Sequence, residues 1–255
     1  MTALGSPVRF DVVTLFPELF APFLSTGVTR RAYESGQVDV HLLNPRDFGE
    51  GNYRRVDDRP YGGGPGMVML AQPLAECLAR VRRERDHSAP VVLFSPIGRA
   101  LNHAAVQHWS ASAGAILVCG RYEGIDQRFI DAHVDEQISL GDFVLSGGEI
   151  AAMALIDAVA RLQPGVLGEA GSHQFDSFNP CIDGLLDCPQ YTRPESWAGQ
   201  GIPHELLSGH HAQIERWRRE QRLRLTALHR PDLIERARAA GLLSAADEAS
   251  LKPRH

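Results

Sequence analysis

The chain has 255 residues, of which 44% are hydrophobic, and its formal net charge is -5. This length and apolar content suffice for one large domain or two of ordinary size, and they exclude general disorder. The negative net charge excludes a globally basic nucleic-acid binder, but the chain can still carry a local basic surface. We find no apolar run of membrane-spanning length and no signal-peptide pattern, so we predict a cytoplasmic protein without membrane contact.

Short apolar runs and helical patterns alternate through the first two thirds of the chain. This alternation is typical of an α/β domain. In chain order, the patterns predict a strand at 10–16, helices at 18–23 and 28–35, a strand at 38–43, a polar loop at 46–66, a helix at 73–85, a strand at 91–94, a helix at 102–110, a strand at 115–118, a helix at 127–132, an apolar run at 138–145 and a helix at 149–163.

Three of these apolar runs lead directly into polar loops that contain glycine, at 95–99, 119–126 and 146–149. Strands without alternation are typical of a parallel sheet that is covered on both faces. Ligands bind such sheets at the carboxyl ends of the strands, and glycine lets backbone amides approach them closely. We therefore predict a small-molecule site there. None of the loops has a dinucleotide-binding or P-loop pattern, which argues against a Rossmann-type dehydrogenase.

The chain changes character after residue 165. Residues 168–188 are polar, rich in turns and weakly periodic, which is typical of a linker, and helical patterns follow at 205–207, 212–228 and 232–240. Residues 214–238 contain eight arginines and four acidic residues. We expect nucleic acid to bind there if it binds at all, although a solvated helix has the same composition. The four cysteines lack the paired spacing of a zinc site.

Five longer motifs follow one another in the chain: RPYGGGPGM at 59–67, CGRYEGID at 119–126, GDFVLSGGE at 141–149, PGVLG at 164–168 and LLDCPQYTRP at 185–194. Together they resemble the bacterial tRNA (guanine-37-N1)-methyltransferase family, TrmD, of the SPOUT superfamily. The resemblance implies an α/β domain whose parallel sheet is tied in a deep trefoil knot (1–167), a linker (168–188) and a small all-helical, tRNA-binding domain (189–255). It also implies a homodimer with shared active sites.

The implied reaction transfers a methyl group from S-adenosylmethionine to N1 of guanosine 37 in tRNA, next to the anticodon. The donor would lie in the knot, held by the three glycine-containing loops. Phe143 stands where relatives have tyrosine, which keeps the ring and removes a hydroxyl. The implied cofactor-binding residues are Ser95, Pro96, Gly98, Gly120, Arg121, Tyr122, Glu123, Ser139, Leu140, Gly141, Phe143, Val144, Leu145, Gly147 and Gly148.

Methylation at N1 of guanine needs a base for the N1 proton and a group that stabilises charge on O6. The resemblance implies Asp176 as the general base and Arg161 as the stabilising group, although in isolation they read as a turn residue and a helix-end arginine. Phe175 stands where relatives have an acidic residue. Glu123 is the implied ligand of Mg²⁺, a second cofactor that the resemblance allows. The implied substrate-binding residues are Arg59, Tyr61, Gly62, Ser177, Arg218 and Arg219.

Two alternative functions keep the same pocket. The first is a SPOUT methyltransferase that acts on another RNA position, and the second is a non-catalytic tRNA-binding protein. Asp176 and Arg161 argue against both alternatives, because a ribose hydroxyl or simple binding does not need this pair of groups.

Overall fold

The computed structural model describes residues 7–168 and 171–252. The chain divides after Gly168 into two compact units. Within the described residues, no helix is both long enough and apolar enough to cross a membrane. The elements of the first unit are β1 (Val8–Val13), α1 (Phe20–Ser25), α2 (Arg30–Glu34), β2 (Val38–Leu43), β3 (Asp57–Asp58), β4 (Val68–Met69), α3 (Ala71–Glu84), β5 (Val91–Ala100), α4 (His103–Ser110), β6 (Gly114–Val118), α5 (Gln127–His133), β7 (Glu136–Ser139) and α6 (Glu149–Arg161).

Five strands of the first unit form one sheet in the order β2-β1-β6-β5-β7. Every neighbouring pair is parallel. One apolar cluster packs α1, α2, α4 and α6 on one side, and a second cluster packs α3 and α5 on the other. Because helices cover both faces, β6 is buried along its whole length. The predicted α/β fold with a parallel sheet is confirmed.

Three predicted elements of the first unit differ from the structure. The first strand ends at Val13 rather than at residue 16, since Pro17 begins a short 3-10 helix. The predicted loop at 46–66 contains β3, which pairs antiparallel with β4. The apolar run at 138–145 is a strand only as far as Ser139, because the chain then turns at Gly141, whose φ of 152° suits glycine alone.

The second unit is built mainly from helices. Residues 179–188 lie within it, because Leu185 packs with Leu223, Ile234 and Ala237 in a buried apolar cluster. The linker predicted at 168–188 stays a prediction, although these residues pack within the second unit and their short 3-10 turns lack a recognisable period. Its elements are 3-10 helices at Ser172–Phe175 and Pro180–Ile182, β8 (Ser196–Trp197), β9 (Gln200–Gly201), α7 (His204–Leu207), α8 (His211–His229), α9 (Pro231–Ala239) and α10 (Ala245–Ser250).

Arg219 of α8 joins three parts of the second unit. Its Nη1 donates to Asp183 Oδ2 at 2.6 Å, and its Nε and Nη2 donate to the Asp247 carboxylate at 3.1 and 3.0 Å. The hydrogen bond from Arg219 lowers the pKa of Asp247 to about 2. Ser244 and Asp247 also form a capping box at the start of α10, a helix that the sequence analysis did not predict.

We predict that Gly114→Ala strongly destabilises the sheet. Gly114 has a φ of 91°, and a Cβ there would lie 1.8 Å from the carbonyl oxygen of Arg9 on β1. Gly36→Ala is the matched control, because Gly36 has a φ of 71° and nothing within 4 Å of its Cβ position. We expect Gly36→Ala to cost about 1–2 kcal/mol in the free energy of unfolding and Gly114→Ala to cost about 3 kcal/mol or more. Equal costs in urea unfolding would contradict the close approach of β1 and β6.

We predict that Asp247→Asn reduces stability at neutral pH and much less in acid. A carboxylate with a lowered pKa stabilises the fold above its ordinary value of 3.8 and loses that contribution as the pH falls towards 2. The expected cost at pH 7 is about 1–2 kcal/mol. Asp232→Asn is the control, because its ion pair with Arg230 is solvent-exposed and screened. Urea unfolding at pH 7 and pH 3 tests the difference, and equal effects at both pH values would contradict it.

Candidate active site

A cavity of about 280 Å³ opens at the carboxyl ends of β5, β6 and β7. Its volume is close to the ~300–1,000 Å³ of small-molecule sites, and its position is the one expected in a parallel sheet. Three stretches of loop line it, at 95–96, 120–125 and 140–148. These stretches contain several glycines, so backbone amides and carbonyls are accessible to a ligand.

The first loop is a bulge inside β5. Phe94 and Arg99 both pair with Ile138 of β7, so the four residues between them leave the ladder. Gly98 lies against β7, where a Cβ would be 2.5 Å from the amide nitrogen of Ile138. Gly98 therefore permits the bulge to pack on β7, and it lies outside the lining of the cavity, unlike the neighbouring Ser95.

The second and third loops contact each other through their backbones. Arg121 and Gly147 form an antiparallel bridge, and the amide of Gly148 donates to the carbonyl of Gly120 at 3.0 Å. A Cβ on Gly148 would lie 2.8 Å from Cys119 Cα. Glycine at this position therefore allows the two loops to form a continuous wall of the cavity.

Cys119 lies behind this wall and is fully buried. Burial raises the pKa of its thiol well above the ordinary value. A buried, protonated thiol is a poor nucleophile, so Cys119 is not poised to act as one.

The second loop also contacts the glycine-rich motif at 59–67. The amide of Glu123 donates to the carbonyl of Met67 at 2.9 Å, and a Cβ on Gly66 would lie 2.3 Å from Glu123 Oε1. Tyr122 has a left-handed φ of 59°, which is costly for a residue other than glycine and recurs at functional sites. Arg46 donates to its hydroxyl at 3.4 Å.

The structure brings together the predicted cofactor-binding residues except Gly98. The individual residues were named from the resemblance to the family, and the local signal in the sequence was the glycine-containing loops at 95–99, 119–126 and 146–149. Other residues also line the cavity, and the sequence analysis did not name them individually. The apolar ones cannot be distinguished from core residues by their sequence pattern. These additional residues are Leu93, Phe94, Gly124, Ile125, Ile130, Ile138, Ser146 and Ala151.

The predicted substrate-binding residues occupy both units. Arg59 and Tyr61 are exposed on the motif that contacts the second loop, and Gly62 lies beside them with a φ of 85°. In the second unit, Arg218 is part-buried, with a side chain that is 42% exposed and pairs with Glu215. Arg219 is also part-buried and donates to two carboxylates. The structure thus gives Arg219 an internal role that its predicted RNA contact did not include.

The two predicted catalytic residues lie in different units. Arg161 is the last residue of α6 in the first unit. Asp176 follows the 3-10 helix Ser172–Phe175 in the second unit, and its amide donates to the carbonyl of His173 at 3.3 Å. Its own carbonyl accepts from the amide of Asn179 at 3.2 Å. Asp176 therefore occupies a defined turn.

Side chains on both sides of Asp176 are anchored to the second unit. Ser177 Oγ accepts from the amide of Asp187 at 2.9 Å. The guanidinium carbon of Arg222 lies 5.7 Å from the ring centroid of Phe175. Arg230 lies at the same distance of 5.7 Å from the ring of Phe178. These cation–π contacts hold the turn from both ends.

The predicted magnesium ligand, Glu123, is not part of a recognisable metal cluster. Among the described residues, no three His, Cys, Asp or Glu side chains are grouped in a way that could hold a metal ion. Mg²⁺ is commonly held by only one or two carboxylates together with water or phosphate oxygens. The predicted site at Glu123 therefore stays a prediction, and the chemistry proposed below uses no metal.

The fold and the cavity define an α/β protein with a small-molecule site at the edge of its sheet, joined to a helical unit with an arginine-rich helix. Residues 8–236 match the family described as tRNA (Guanine-1)-methyltransferase TrmD. The chain belongs to this family, as the five motifs predicted.

Individual relatives agree with the family. The chain is 74% identical over 244 residues to the tRNA (guanine-N(1)-)-methyltransferase of Albidiferax ferrireducens, covering 96% of this chain and 98% of that protein. It is 73% identical over 248 residues to the protein of the same description from Polaromonas sp., covering 96% of each. Its structure is similar to that of the tRNA (m1G37) methyltransferase from Aquifex aeolicus, with a TM-score of 0.71 and 40% identity over 90% of this chain and 96% of that one.

Proposed function

We propose that this protein transfers a methyl group from S-adenosylmethionine to N1 of guanosine 37 in tRNA. Its family and its relatives establish the coarser statement, that it is a tRNA (guanine-N1)-methyltransferase. The observation that carries the finer statement is the convergence of three motif loops on one cavity. The similarity to a tRNA (m1G37) methyltransferase supports position 37.

The cavity has the chemistry that a nucleoside-containing donor requires. Backbone groups of the three loops are accessible for hydrogen bonds, and the exposed side chains of Tyr122, Phe143 and Val144 offer apolar surface to a purine ring. The residues present therefore fit S-adenosylmethionine. When bound, this donor supplies the methyl group from a positively charged sulfonium.

Asp176 and Arg161 supply the acid–base chemistry in this proposal. N1 of neutral guanine bears a proton, so the Asp176 carboxylate accepts that proton as the new N–C bond forms. The negative charge that develops on O6 is stabilised by the Arg161 guanidinium, a role worth a few kcal/mol when the donor is preorganised. The anchored turn around Asp176 supports this assignment, because a general base must be held in place.

We extend the proposal to the knot and the homodimer that the family resemblance implies. A knot of this kind requires the loop before α6 to lie against the loop after β6, and the backbone bridge between Arg121 and Gly147 meets this requirement. Exposed apolar side chains support a partner surface on the first unit: Phe16 and Leu19 follow β1, and Ile150 lies near the start of α6. The cytoplasmic location, the domain bounds and the magnesium ion stay predictions.

We predict that Asp176→Asn lowers the rate of methylation by about 10²–10⁴-fold, because the variant cannot accept the N1 proton. The assay uses an unmodified tRNA transcript with guanosines at positions 36 and 37, incubated with S-adenosylmethionine. Mass spectrometry of the nucleosides identifies the methylated atom. Asp232→Asn, a change of the same type on α9, is the control and should keep the wild-type rate. Full activity of Asp176→Asn would remove Asp176 as the base, and methylation at another atom would contradict the proposed function.

We predict that the double variant Arg216→Gln, Arg218→Gln weakens tRNA binding and lowers its salt dependence. Both side chains are exposed on α8, Arg216 by 83%. Each lost phosphate contact should reduce the slope of log K against log[salt] by about 1. Arg83→Gln, a change of an exposed arginine on α3, is the control. An unchanged slope in filter binding at several salt concentrations would show that this face of α8 does not contact RNA.

A further inference from the structure

Glu149, the first residue of α6, is a carboxylate with no solvent exposure. Acidic side chains are almost never buried to this extent unless they are paired. The hydroxyl of Thr14, just after β1, donates to Glu149 Oε1 at 2.8 Å. The other oxygen, Oε2, lies 2.9 Å from Arg121 Nε in an ion pair whose N–H is not aligned as a hydrogen bond. Glu149 thus connects the first strand to the second loop of the cavity.

The guanidinium of Arg121 is committed to contacts within the protein. Besides Glu149, its Nη1 donates to the carbonyl of Ser146 at 3.2 Å. Its Cζ lies 4.4 Å from the ring centroid of Phe16. The side chain is only 18% exposed. Arg121 was predicted as a cofactor-binding residue, and the structure shows that its guanidinium already has partners on three sides.

The third loop lies directly on this guanidinium. A Cβ on Gly147 would be 2.2 Å from Arg121 Nε. Ser146, Gly147 and Gly148 all line the cavity. The position of the Arg121 side chain therefore determines where this part of the cavity wall lies, and the position of Glu149 determines where the Arg121 side chain lies.

We propose that Glu149 and Arg121 are positioning residues for the methyl donor. This proposal rests on the proposed function. The buried carboxylate holds the guanidinium, and the guanidinium supports residues 146–148 against the second loop. The pair acts on the affinity for the donor through the backbone that it places, and neither charged group contacts the donor.

A buried ion pair elsewhere in the same unit provides a matched control. Asp11 on β1 is 1% exposed and pairs with Arg85, whose side chain is 5% exposed. Neither residue lines the cavity. Asp11 also pairs with Arg9, whose side chain is 21% exposed. Asp11→Asn and Glu149→Gln therefore both remove the charge of a buried acid and leave its arginine partners uncompensated. The two variants differ because Arg121 contacts the wall of the cavity, whereas Arg85 lies outside the cavity lining.

The test measures binding of S-adenosylhomocysteine by calorimetry, the melting temperature and the steady-state constants of each variant. We expect Glu149→Gln to raise the Kd for S-adenosylhomocysteine and the KM for S-adenosylmethionine at least tenfold, with the KM for tRNA changed less than twofold. Asp11→Asn should lower the melting temperature without changing the Kd. A Kd for Glu149→Gln equal to that of the wild type, or an equal rise of Kd in both variants, would overturn the proposal.

Two further variants keep the test decisive. Thr14→Val removes the hydroxyl that donates to Glu149 and accepts from the amide of Phe16, and it leaves the charge of Glu149 in place. It should raise the Kd by two- to fivefold even if Glu149→Gln does not fold, and an unchanged Kd would overturn the proposal. The double variant Glu149→Gln, Arg121→Gln should bind S-adenosylhomocysteine no more weakly than the weaker single variant, because the two residues act as one unit. Additive losses would contradict the pairing. Failure of the wild type to bind S-adenosylhomocysteine would instead contradict the proposed function.

Discussion

The cavity depends on the approach of two backbones at a place where no side chain fits between them. Gly148 lies against Cys119 Cα, and Gly147 lies against the guanidinium of Arg121. If Gly148 carried a Cβ, the loop before α6 would have to move away from the loop after β6, and a Cβ on Gly147 would displace the Arg121 side chain. The first strand contributes to the same arrangement through Thr14, which is hydrogen-bonded to Glu149. The small-molecule site is thus a product of packing across three parts of the chain.

Much of the sheet could be predicted because its strands are apolar on both faces. β6 and β2 were predicted to within a residue, and the loops that follow the strands were recognised from their glycines. The direction of individual side chains could not be predicted in this way. Nothing local in the sequence shows that the Arg121 guanidinium points inwards, that Glu149 is buried, or that Gly98 packs on β7. Each of these depends on residues that are distant in the chain.

In the second unit, sequence patterns failed to predict which residues are buried. Residues 179–188 have the polar, turn-rich composition of a linker, yet Leu185 is completely buried against α8 and α9. Apolar side chains scattered among turns, such as Ile182 and Leu185, give no period to detect, so their burial is visible only in the tertiary structure. The same holds for Arg219, whose charge suggested a contact with RNA while its partners, Asp183 and Asp247, lie elsewhere in the unit.

The bulge in β5 contributes residues to the cavity without changing the pairing of β5 with β7. Since Phe94 and Arg99 pair with the same residue of β7, the strand resumes its ladder as if residues 95–99 were absent. The register between β5 and β7 is therefore the same on both sides of the bulge. Ile97, which is 83% exposed, marks the point where a change in the length of the bulge is tolerated. This makes the bulge the place to insert residues when a pocket for enlarged methyl-donor analogues is to be engineered.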